Sequence, residues 1–545
     1  MVFTIIYNPY LQKLDFIKDG YKLRKNNRFK KILNQKNGHW LMKPSEWEEI
    51  FEEMKRHSDG EGIEIEFCGR SCDYDDILNY EMFYKDREIS FLKPVLIENE
   101  SSLIEELFAF VKELELKDQF TRDLTSAFEN IYNENFKICV IATMSSGKST
   151  LINAMLGQDL LPSNTAACTA TITTMTDNDE MKVFTSKCFD KDGNLLNEKE
   201  AVTLDDLEMY NKEPQIEKID LEGPIPAITT SKFNLHLIDT PGPNNSTNEQ
   251  HETLTNKIIE SDDYAMVIYV MSPATIQSDD NNELFQSIAN IMKKDGKQAE
   301  ERFLFVINKC DYLDPEDEDD TIESVMETTK KYLKQKGFDH PNIFPMTSEL
   351  AKLIRMNERG YKITRRDRKE IKNWVDNFEE DQNSNYQKFL SFEKYATLSV
   401  KSREKINNRL MQAKAENNKQ EQALIHTGLP ALEEAIEDYL QKNVYPMKIK
   451  EFVEVTDTYL NGKILSDALE TYFLEKINKI KYKNELIKKI EMLMKIRNNT
   501  DIHFYQADDT KYQIKSDLEY MNSLIQVIKI IVSKKQREEA IKFLH

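Results

Sequence analysis

The chain has 545 residues, 40% of them hydrophobic, and its 95 acidic and 74 basic side chains give a net charge of −21. This length suggests three or four domains at about 150 residues each. The acidic balance disfavours a general DNA- or RNA-binding protein, because nucleic-acid phosphates would be repelled on average. Neither a signal peptide nor an apolar run long enough to span a membrane is recognisable, and six cysteines are too few for a disulfide framework. We therefore expect a cytoplasmic protein with free thiols.

A small α+β domain is predicted for residues 1–98, and the sequence does not reveal its role. The expected strands are Phe3–Tyr7, Leu11–Ile17 and Ile63–Phe67, and the expected helix is Trp47–Met54. Between them, Lys18–Lys36 is strongly basic. A solvated loop is the simpler interpretation of this stretch, and a site for an acidic partner or anionic lipid is the alternative.

Helical patterns flank the centre of the chain on both sides. A capping-box spacing at Ser102–Glu105 and apolar residues at helical intervals predict a neck helix over 99–134. A helical neck or bundle is predicted over 446–545, where lysines crowd the faces that the apolar stripe leaves free. The basic amphipathic stretches Lys476–Arg497 and Leu524–Val532 pack together in the simpler interpretation. In the alternative they lie on an anionic membrane surface.

The region 135–445 predicts an α/β P-loop GTPase domain, with a mostly parallel sheet and helices on both faces. Its evidence is a series of short apolar runs, separated by helical segments, of the kind that parallel strands buried on both faces require. The runs are Phe136–Ile141, Leu235–Ile238, Ala265–Met271 and Phe303–Ile307.

A phosphate-binding loop is predicted where the first of these strands ends. Ala142–Thr150 reads Ala-Thr-Met-Ser-Ser-Gly-Lys-Ser-Thr and opens a helix, so backbone N–H groups would point at the phosphates. Lys148 should reach the β and γ phosphates and Ser149 should ligate Mg²⁺. Ala142 stands where the pattern has its first glycine. The remaining nucleotide-binding candidates in this loop are Ser145, Ser146, Gly147 and Thr150.

Two further elements are expected around the γ-phosphate. Asp239 closes a strand and could hold Mg²⁺ through water, and the N–H group of Gly242 could sense the γ-phosphate. Thr169 lies between the phosphate loop and Asp239, and we assign it as the switch threonine that meets the metal. Thr165 and Thr171 remain alternatives for that role.

The motif Asn-Lys-Cys-Asp closes the strand that ends at residue 307 and predicts guanine recognition. The Asp311 carboxylate can accept two hydrogen bonds from guanine, a pairing that adenine does not offer, so the discrimination should be large. The stem of Lys309 would pack on the base, and Asn308 would bond back to the phosphate loop. Thr347 and Ser348 follow the next short strand, at the place of the loop under the guanine.

With these motifs the chain resembles the dynamin family of large GTPases, and bacterial dynamin-like proteins most of all. The subgroup associated with enterotoxin and vesicle release has a comparable size and an N-terminal extension. The segments that carry the resemblance are Ser145–Pro162, Cys168–Ala170, Leu237–Gly242, Asn308–Asp311 and Thr427–Ile436.

The resemblance implies GTP hydrolysis that is activated when two GTPase domains dimerise across their nucleotide faces, with Lys148, Ser145 and Thr169 as catalytic residues. It implies Mg²⁺ and a monovalent cation, K⁺ or Na⁺, beside Ser145. It also implies that the protein is peripheral to a membrane, that it functions in membrane remodelling or vesicle release, and that it acts together with companion proteins. Two residues depart from expectation, since Met144 replaces a common glutamine and Pro243 cannot orient water as a glutamine would. The rival hypothesis is a soluble regulatory switch whose GTP state docks a protein partner without acting on lipid.

Overall fold

The structure, a computed structural model, describes residues 1–8, 13–19, 21–22, 44–58, 62–84, 89–97, 126, 129–131, 136–142, 145–163, 171–226, 235–240, 265–276, 285, 301–314, 321–338, 340–379, 390–444, 447–448 and 451. The chain divides into two compact units. The terminal unit comprises Met1–Asn133 and Gln441–His545, and the central unit is Glu134–Leu440.

The terminal unit is built on a six-stranded sheet in the order β3-β2-β1-β4-β5, with β6 paired to β4. Its elements are β1 Val2–Asn8, β2 Lys13–Lys18, β3 Tyr21–Lys22, α1 Pro44–Arg56, β4 Ile63–Arg70, α2 Ser71–Tyr84, β5 Ile89–Phe91 and β6 Val95–Ile97. The strands expected at its start and the helix expected around Trp47 are present. Trp47 is 1% exposed and packs edge-on against Tyr7 and Phe67, which ties α1 to the sheet.

A buried arginine links the two sequence segments of the terminal unit. Arg70, at the end of β4, is 1% exposed and forms a bidentate pair with Asp73, with both N···O distances at 2.6 Å. Its third donor, Nη1, reaches the carbonyl oxygen of Lys442 at 3.0 Å. Lys448, also buried, donates to the carbonyl oxygen of Ile131 at 2.9 Å. Residues that follow the central unit are therefore hydrogen-bonded to residues that precede it.

The central unit contains a nine-stranded sheet in the order β10-β9-β11-β8-β12-β7-β13-β14-β15. Its strands are β7 Phe136–Ala142, β8 Ile172–Asp177, β9 Thr185–Phe189, β10 Leu195–Lys199, β11 Lys218–Gly223, β12 Leu235–Asp239, β13 Ala265–Met271, β14 Phe303–Ile307 and β15 Asn342–Pro345. The run β12-β7-β13-β14-β15 is parallel throughout, which confirms the predicted mostly parallel sheet.

Helices complete the central unit. The α-helices among its described residues are α3 Lys148–Leu156, α4 Leu204–Tyr210, α5 Ile322–Gln335, α6 Ser348–Glu358, α7 Arg365–Glu379, α8 Val400–Ala415, α9 Lys419–His426 and α10 Leu429–Tyr439. A short π-helix, Leu440–Val444, continues from α10 into the terminal unit. All five residues of β14 are buried, as the apolar run predicted for a strand covered on both faces.

The extension formed by β8 to β11 and α4 was not predicted from the sequence. This extension joins the parallel strands through an antiparallel pairing of β8 with β12. Along β11 exposed and buried residues alternate, the period-2 pattern of a strand with one covered face. All five residues of β10 are exposed, so its sequence carries no burial pattern at all.

The predicted neck helix over 99–134 and the predicted helical region over 446–545 lie almost wholly outside the described residues, as do most of Lys18–Lys36 and both basic amphipathic stretches. Within the described part of the chain no helix has the length and apolar character needed to cross a bilayer.

Candidate functional site

The phosphate loop connects β7 to α3 at the carboxyl end of the parallel strands. Its last residue, Gly147, precedes α3 with φ +92°, a left-handed conformation. A Cβ atom at this position would lie 2.3 Å from Nδ2 of Asn308. Glycine is therefore required here both for its backbone conformation and for the close approach of Asn308. Ser145 is also left-handed, at φ 59°, while Thr143 and Met144 lie outside the described residues.

Lys148 opens α3 and forms an ion pair with Asp239 at the end of β12. The two side chains are 10% and 1% exposed, so the pair is largely shielded from water. Asp239 Oδ2 is buried and has no hydrogen-bond partner among the described residues. A buried carboxylate oxygen with free acceptor capacity suits a hydrated divalent cation. The site thus fits Mg²⁺, with Asp239 and the half-buried Ser149 as candidate ligands.

Asn308 joins the phosphate loop to two other loops. Its Nδ2 donates to the carbonyl oxygen of Ser146 at 2.8 Å, the contact expected from the sequence. Its Oδ1 accepts from the backbone N–H of Ser348 at 3.0 Å. Asn308 is 2% exposed and both partner residues are fully buried. One amide side chain therefore fixes the relative positions of three segments that sequence analysis assigned to the same nucleotide.

Lys309 and Asp311 follow Asn308 at the edge of the site. Lys309 is left-handed, at φ 66°, and its Nζ donates to the carbonyl oxygen of Ser145 at 2.7 Å. Burial raises the pKa of the Asp311 carboxyl, and a hydrogen bond from the side chain of Thr347 acts in the opposite direction. The carboxylate is therefore partly desolvated and already oriented by a neighbouring donor.

The segment after β15 packs against the Asn-Lys-Cys-Asp motif through its backbone. Met346 donates to the carbonyl oxygen of Ile307 at 2.8 Å, and Cys310 donates to the carbonyl oxygen of Met346 at 3.1 Å. The N–H group of Thr347 donates to the carbonyl oxygen of Thr427 at 3.0 Å. Thr347 and Ser348 consequently lie beside Asp311 and Asn308.

Several residues that position α3 were not recognised in the sequence. Arg355 on α6 and Arg359, the residue that follows α6, donate to the carbonyl oxygens of Ala154 and Leu156, at 3.0 and 2.7 Å. These acceptors belong to the last turn of α3, where carbonyls lack partners within the helix. Arg355 also forms a bidentate pair with Glu433 on α10, at 2.5 and 2.6 Å. No local sequence pattern predicts this ion pair, because its two residues are 78 positions apart in the chain.

Asn153, on α3, offered a signal that sequence analysis did not use. It is a polar residue within an apolar helical run, and it is fully buried. Its Oδ1 accepts from the N–H groups of Leu160 and Leu161, and its Nδ2 donates to the carbonyl oxygen of Leu161 at 2.8 Å. Asn153 thus fixes the start of the connection that leads from α3 toward Thr169.

The structure brings most of the predicted site residues together and leaves a few outside its description. The residues that the contacts above connect are Ser145, Ser146, Lys148, Asp239, Asn308, Lys309, Asp311, Thr347 and Ser348. Ser149 and Thr150 lie in the first turn of α3. Thr165, Thr169 and Gly242 are not among the described residues. Thr171 is buried and its hydroxyl donates to the side chain of Asn211, which disfavours this alternative for the switch threonine.

Comparison with known proteins assigns a family to part of the central unit. Residues 138–310, from β7 to the Asn-Lys-Cys-Asp motif, match the dynamin family. This segment is a dynamin-family domain. The match includes the phosphate loop, Asp239 and Asn308, and it ends one residue before Asp311.

The similar curated proteins are bacterial. An uncharacterized protein from the xynA 3′ region of Caldicellulosiruptor sp. (strain Rt8B.4) is 29% identical over 231 residues, which are 41% of this chain and 51% of that protein. A bacterial dynamin-like protein from Nostoc punctiforme is 30% identical over 134 residues, 23% of this chain and 19% of that one. Dynamin-like protein 1 from Campylobacter jejuni is 22% identical over 298 residues, 48% of this chain and 38% of that one. The chain thus spans about half the length of the first relative and less of the other two.

Among solved structures, a chain from an oligomerised bacterial dynamin pair, described as sensing and tethering membranes over long range, is 18% identical. The alignment covers 86% of this chain and 83% of that chain, with a TM-score of 0.36. A second structure of such a pair is 17% identical, with 87% and 84% coverage and a TM-score of 0.37.

Proposed function

We propose that this chain binds GTP and hydrolyses it to GDP and phosphate. The observation that carries the proposal is the position of Asn308, whose side chain bonds both the phosphate loop and the loop beside Asp311. A phosphate-binding element and a base-reading carboxylate thereby belong to one rigid site. The dynamin-family match over residues 138–310, which include the phosphate loop and Asn308, supports this assignment.

The residues of the site have distinct roles in this proposal. Backbone N–H groups at the start of α3 and the ammonium of Lys148 bind the phosphates. The Asp311 carboxylate accepts hydrogen bonds from guanine, which excludes adenine because adenine would leave a desolvated acceptor unpaired. Ser149, Asp239 and Thr169 would hold Mg²⁺, which when bound neutralises charge on the β and γ phosphates. Ser145 would contribute to a site for K⁺ or Na⁺.

Calorimetry with GDP, ADP and XDP tests the base assignment. We expect the wild-type chain to bind GDP at least 100-fold more tightly than ADP, because a buried polar group that loses its partner carries a large penalty. Asp311→Asn should weaken GDP binding and improve XDP binding, since xanthine offers a carbonyl where guanine offers an amino group. Equal affinity of the wild-type chain for GDP and ADP would refute the proposal.

We also propose that hydrolysis accelerates when two copies associate through their GTPase domains. This follows from the family resemblance and from Pro243, which cannot orient water. Specific activity should then rise with protein concentration and saturate, and replacing K⁺ and Na⁺ with choline should lower it. A specific activity that stays constant over a 100-fold concentration range would contradict the role of self-association.

The last part of the proposal is action at a membrane, for which the predicted basic helices of 446–545 are the sequence support. Flotation with anionic vesicles and GTPase assays with and without them address it directly. Binding to anionic but not neutral vesicles, with stimulated hydrolysis, is the expected result. A protein that neither floats nor responds to vesicles would instead match the soluble switch that docks a protein partner.

A further inference from the structure

The turn Thr427–Gly428, between α9 and α10, lies directly behind the base-reading loop. Gly428 has φ +85°, a backbone conformation that residues other than glycine rarely adopt. A Cβ atom at this position would lie 2.3 Å from the carbonyl oxygen of Pro345 and 3.1 Å from Cβ of Met346. The first distance is far below any real contact, and its partner is backbone that cannot rotate away. A larger residue at 428 must therefore displace the end of β15.

The segment Pro345–Ser348 that Gly428 contacts makes the hydrogen bonds that hold the guanine motif. Met346 bonds the backbone of Cys310, Ser348 bonds the side chain of Asn308, and Thr347 bonds the carboxylate of Asp311. The turn itself contributes a further bond, since the carbonyl oxygen of Thr427 accepts from Thr347 N–H at 3.0 Å. Only one layer of backbone separates the turn from the base-reading residues.

Two further buried contacts restrain the turn. His426 Nδ1 lies 3.0 Å from Oε1 of Glu393, and the two residues are 7% and 3% exposed. The hydroxyl of Thr427 donates to the carbonyl oxygen of Leu424 at 2.6 Å. Because it is held in this way, the turn cannot easily retreat when the loop in front of it moves.

We propose that Gly428 and the Thr427 carbonyl are positioning elements for guanine specificity, although neither touches the nucleotide. Because Gly428 has no side chain, the segment Pro345–Ser348 can approach the turn, and the bond from Thr347 N–H to the Thr427 carbonyl holds it there. Together these two features set the distance of Pro345–Ser348 from Asp311. This inference rests on the proposed function, because it assumes that Asp311 reads guanine. A displacement of about 1 Å in such a loop is enough to change recognition by one to two orders of magnitude.

The test compares Gly428→Ala with Gly193→Ala. Gly193, in the β9–β10 hairpin, has φ +82°, but a Cβ atom there would have no neighbour within 4 Å, so its substitution carries similar backbone strain without the collision. The measured quantity is the ratio of the dissociation constants for ADP and GDP, determined by calorimetry. We expect Gly428→Ala to lower this ratio at least tenfold through weaker GDP binding, with ADP binding, which reports on the phosphate loop, changed less than threefold. Gly193→Ala should leave the ratio unchanged.

Three outcomes separate the possibilities. A wild-type ratio near one refutes the proposed function itself. A wild-type preference for GDP that Gly428→Ala retains, or an equal loss of GDP and ADP binding, refutes the positioning role alone. If Gly428→Ala does not fold, Glu393→Ala is measured instead, since it removes the partner of His426 without adding an atom to the turn. A preserved ratio in that variant would also overturn the inference.

Discussion

Asn308→Ala is the most informative single substitution in this site. The change removes two hydrogen bonds, one to the carbonyl oxygen of Ser146 and one from the N–H group of Ser348. Both partner residues are fully buried, so water cannot replace the amide without reorganisation. Each lost buried bond costs about 1–3 kcal/mol, and we therefore expect the two together to lower the stability of the central unit by roughly 2–6 kcal/mol.

Asn308→Ala should weaken the binding of both nucleotides, and GDP more than ADP, because the side chain also bonds Ser348 in the loop beside Asp311. Because the side chain fixes the phosphate loop, the affinity for GDP and the affinity for ADP should each fall by about tenfold or more. Denaturant unfolding followed by tryptophan fluorescence and calorimetry would measure the two effects. Asn357→Ala is a suitable control, because the half-buried Asn357 makes a longer bond, 3.3 Å, to Gln420 elsewhere in the same unit. A loss below about 1 kcal/mol together with unchanged affinity for GDP would refute this account of Asn308.

Further predictions concern charge. Lys148→Ala should lower the GTPase rate by about 100-fold or more, in line with the removal of an electrostatic stabiliser, while circular dichroism should show an intact fold. Arg355→Met should destabilise the chain by about 3–5 kcal/mol, because it leaves the Glu433 carboxylate buried without its partner; in denaturant unfolding, adding Glu433→Leu should recover much of that loss. The preference for GDP over ADP should fall on acidification at a higher pH than an ordinary aspartate would give, since burial raises the pKa of Asp311 and the proposed function assigns guanine recognition to its charged form. Calorimetry between pH 4.5 and 7.5 would show this decline, and a flat ratio would contradict it.

Protonation of Asp311 should decrease guanine recognition but increase the stability of the folded chain. A raised carboxyl pKa means that the native state takes up the Asp311 proton more readily than the unfolded chain does. Stability relative to Asp311→Asn should therefore increase as pH falls through the raised pKa, while guanine recognition decreases. Opposite pH trends in these two measurements would identify the same carboxyl as their source.

Much of the central unit was predictable because its strands are buried on both faces. The continuous apolar run at Phe303–Ile307 identified β14, and Asn308 followed at its carboxyl end. Parallel strands bring their carboxyl ends to one edge of the sheet, so the motifs after β7, β12 and β14 had to meet there. The contact between Asn308 and the phosphate loop follows from that geometry.

The residues that sequence analysis missed depend on partners distant in the chain or on conformation. Arg355 meets Glu433 only because α6 and α10 pack near the end of α3, and neither residue carries a local signal for the pairing. Gly428 is recognisable from the sequence as a helix boundary, but its close approach to the carbonyl oxygen of Pro345 joins two positions that are far apart in the chain. Both faces of the strand Leu195–Lys199 are exposed, so its sequence has no hydrophobic periodicity from which a strand could be predicted.

The bond from Arg70 to the Lys442 carbonyl has a consequence for biosynthesis. Its two residues are 372 positions apart, and a ribosome adding about 5–20 residues per second needs roughly 20–70 s to pass from one to the other. The central unit lies wholly between them, so all of its residues are synthesised while the terminal unit still lacks its second segment. Throughout that interval Arg70 can pair with Asp73 but not with the Lys442 carbonyl, so the terminal unit stays incomplete until the whole central unit has been synthesised.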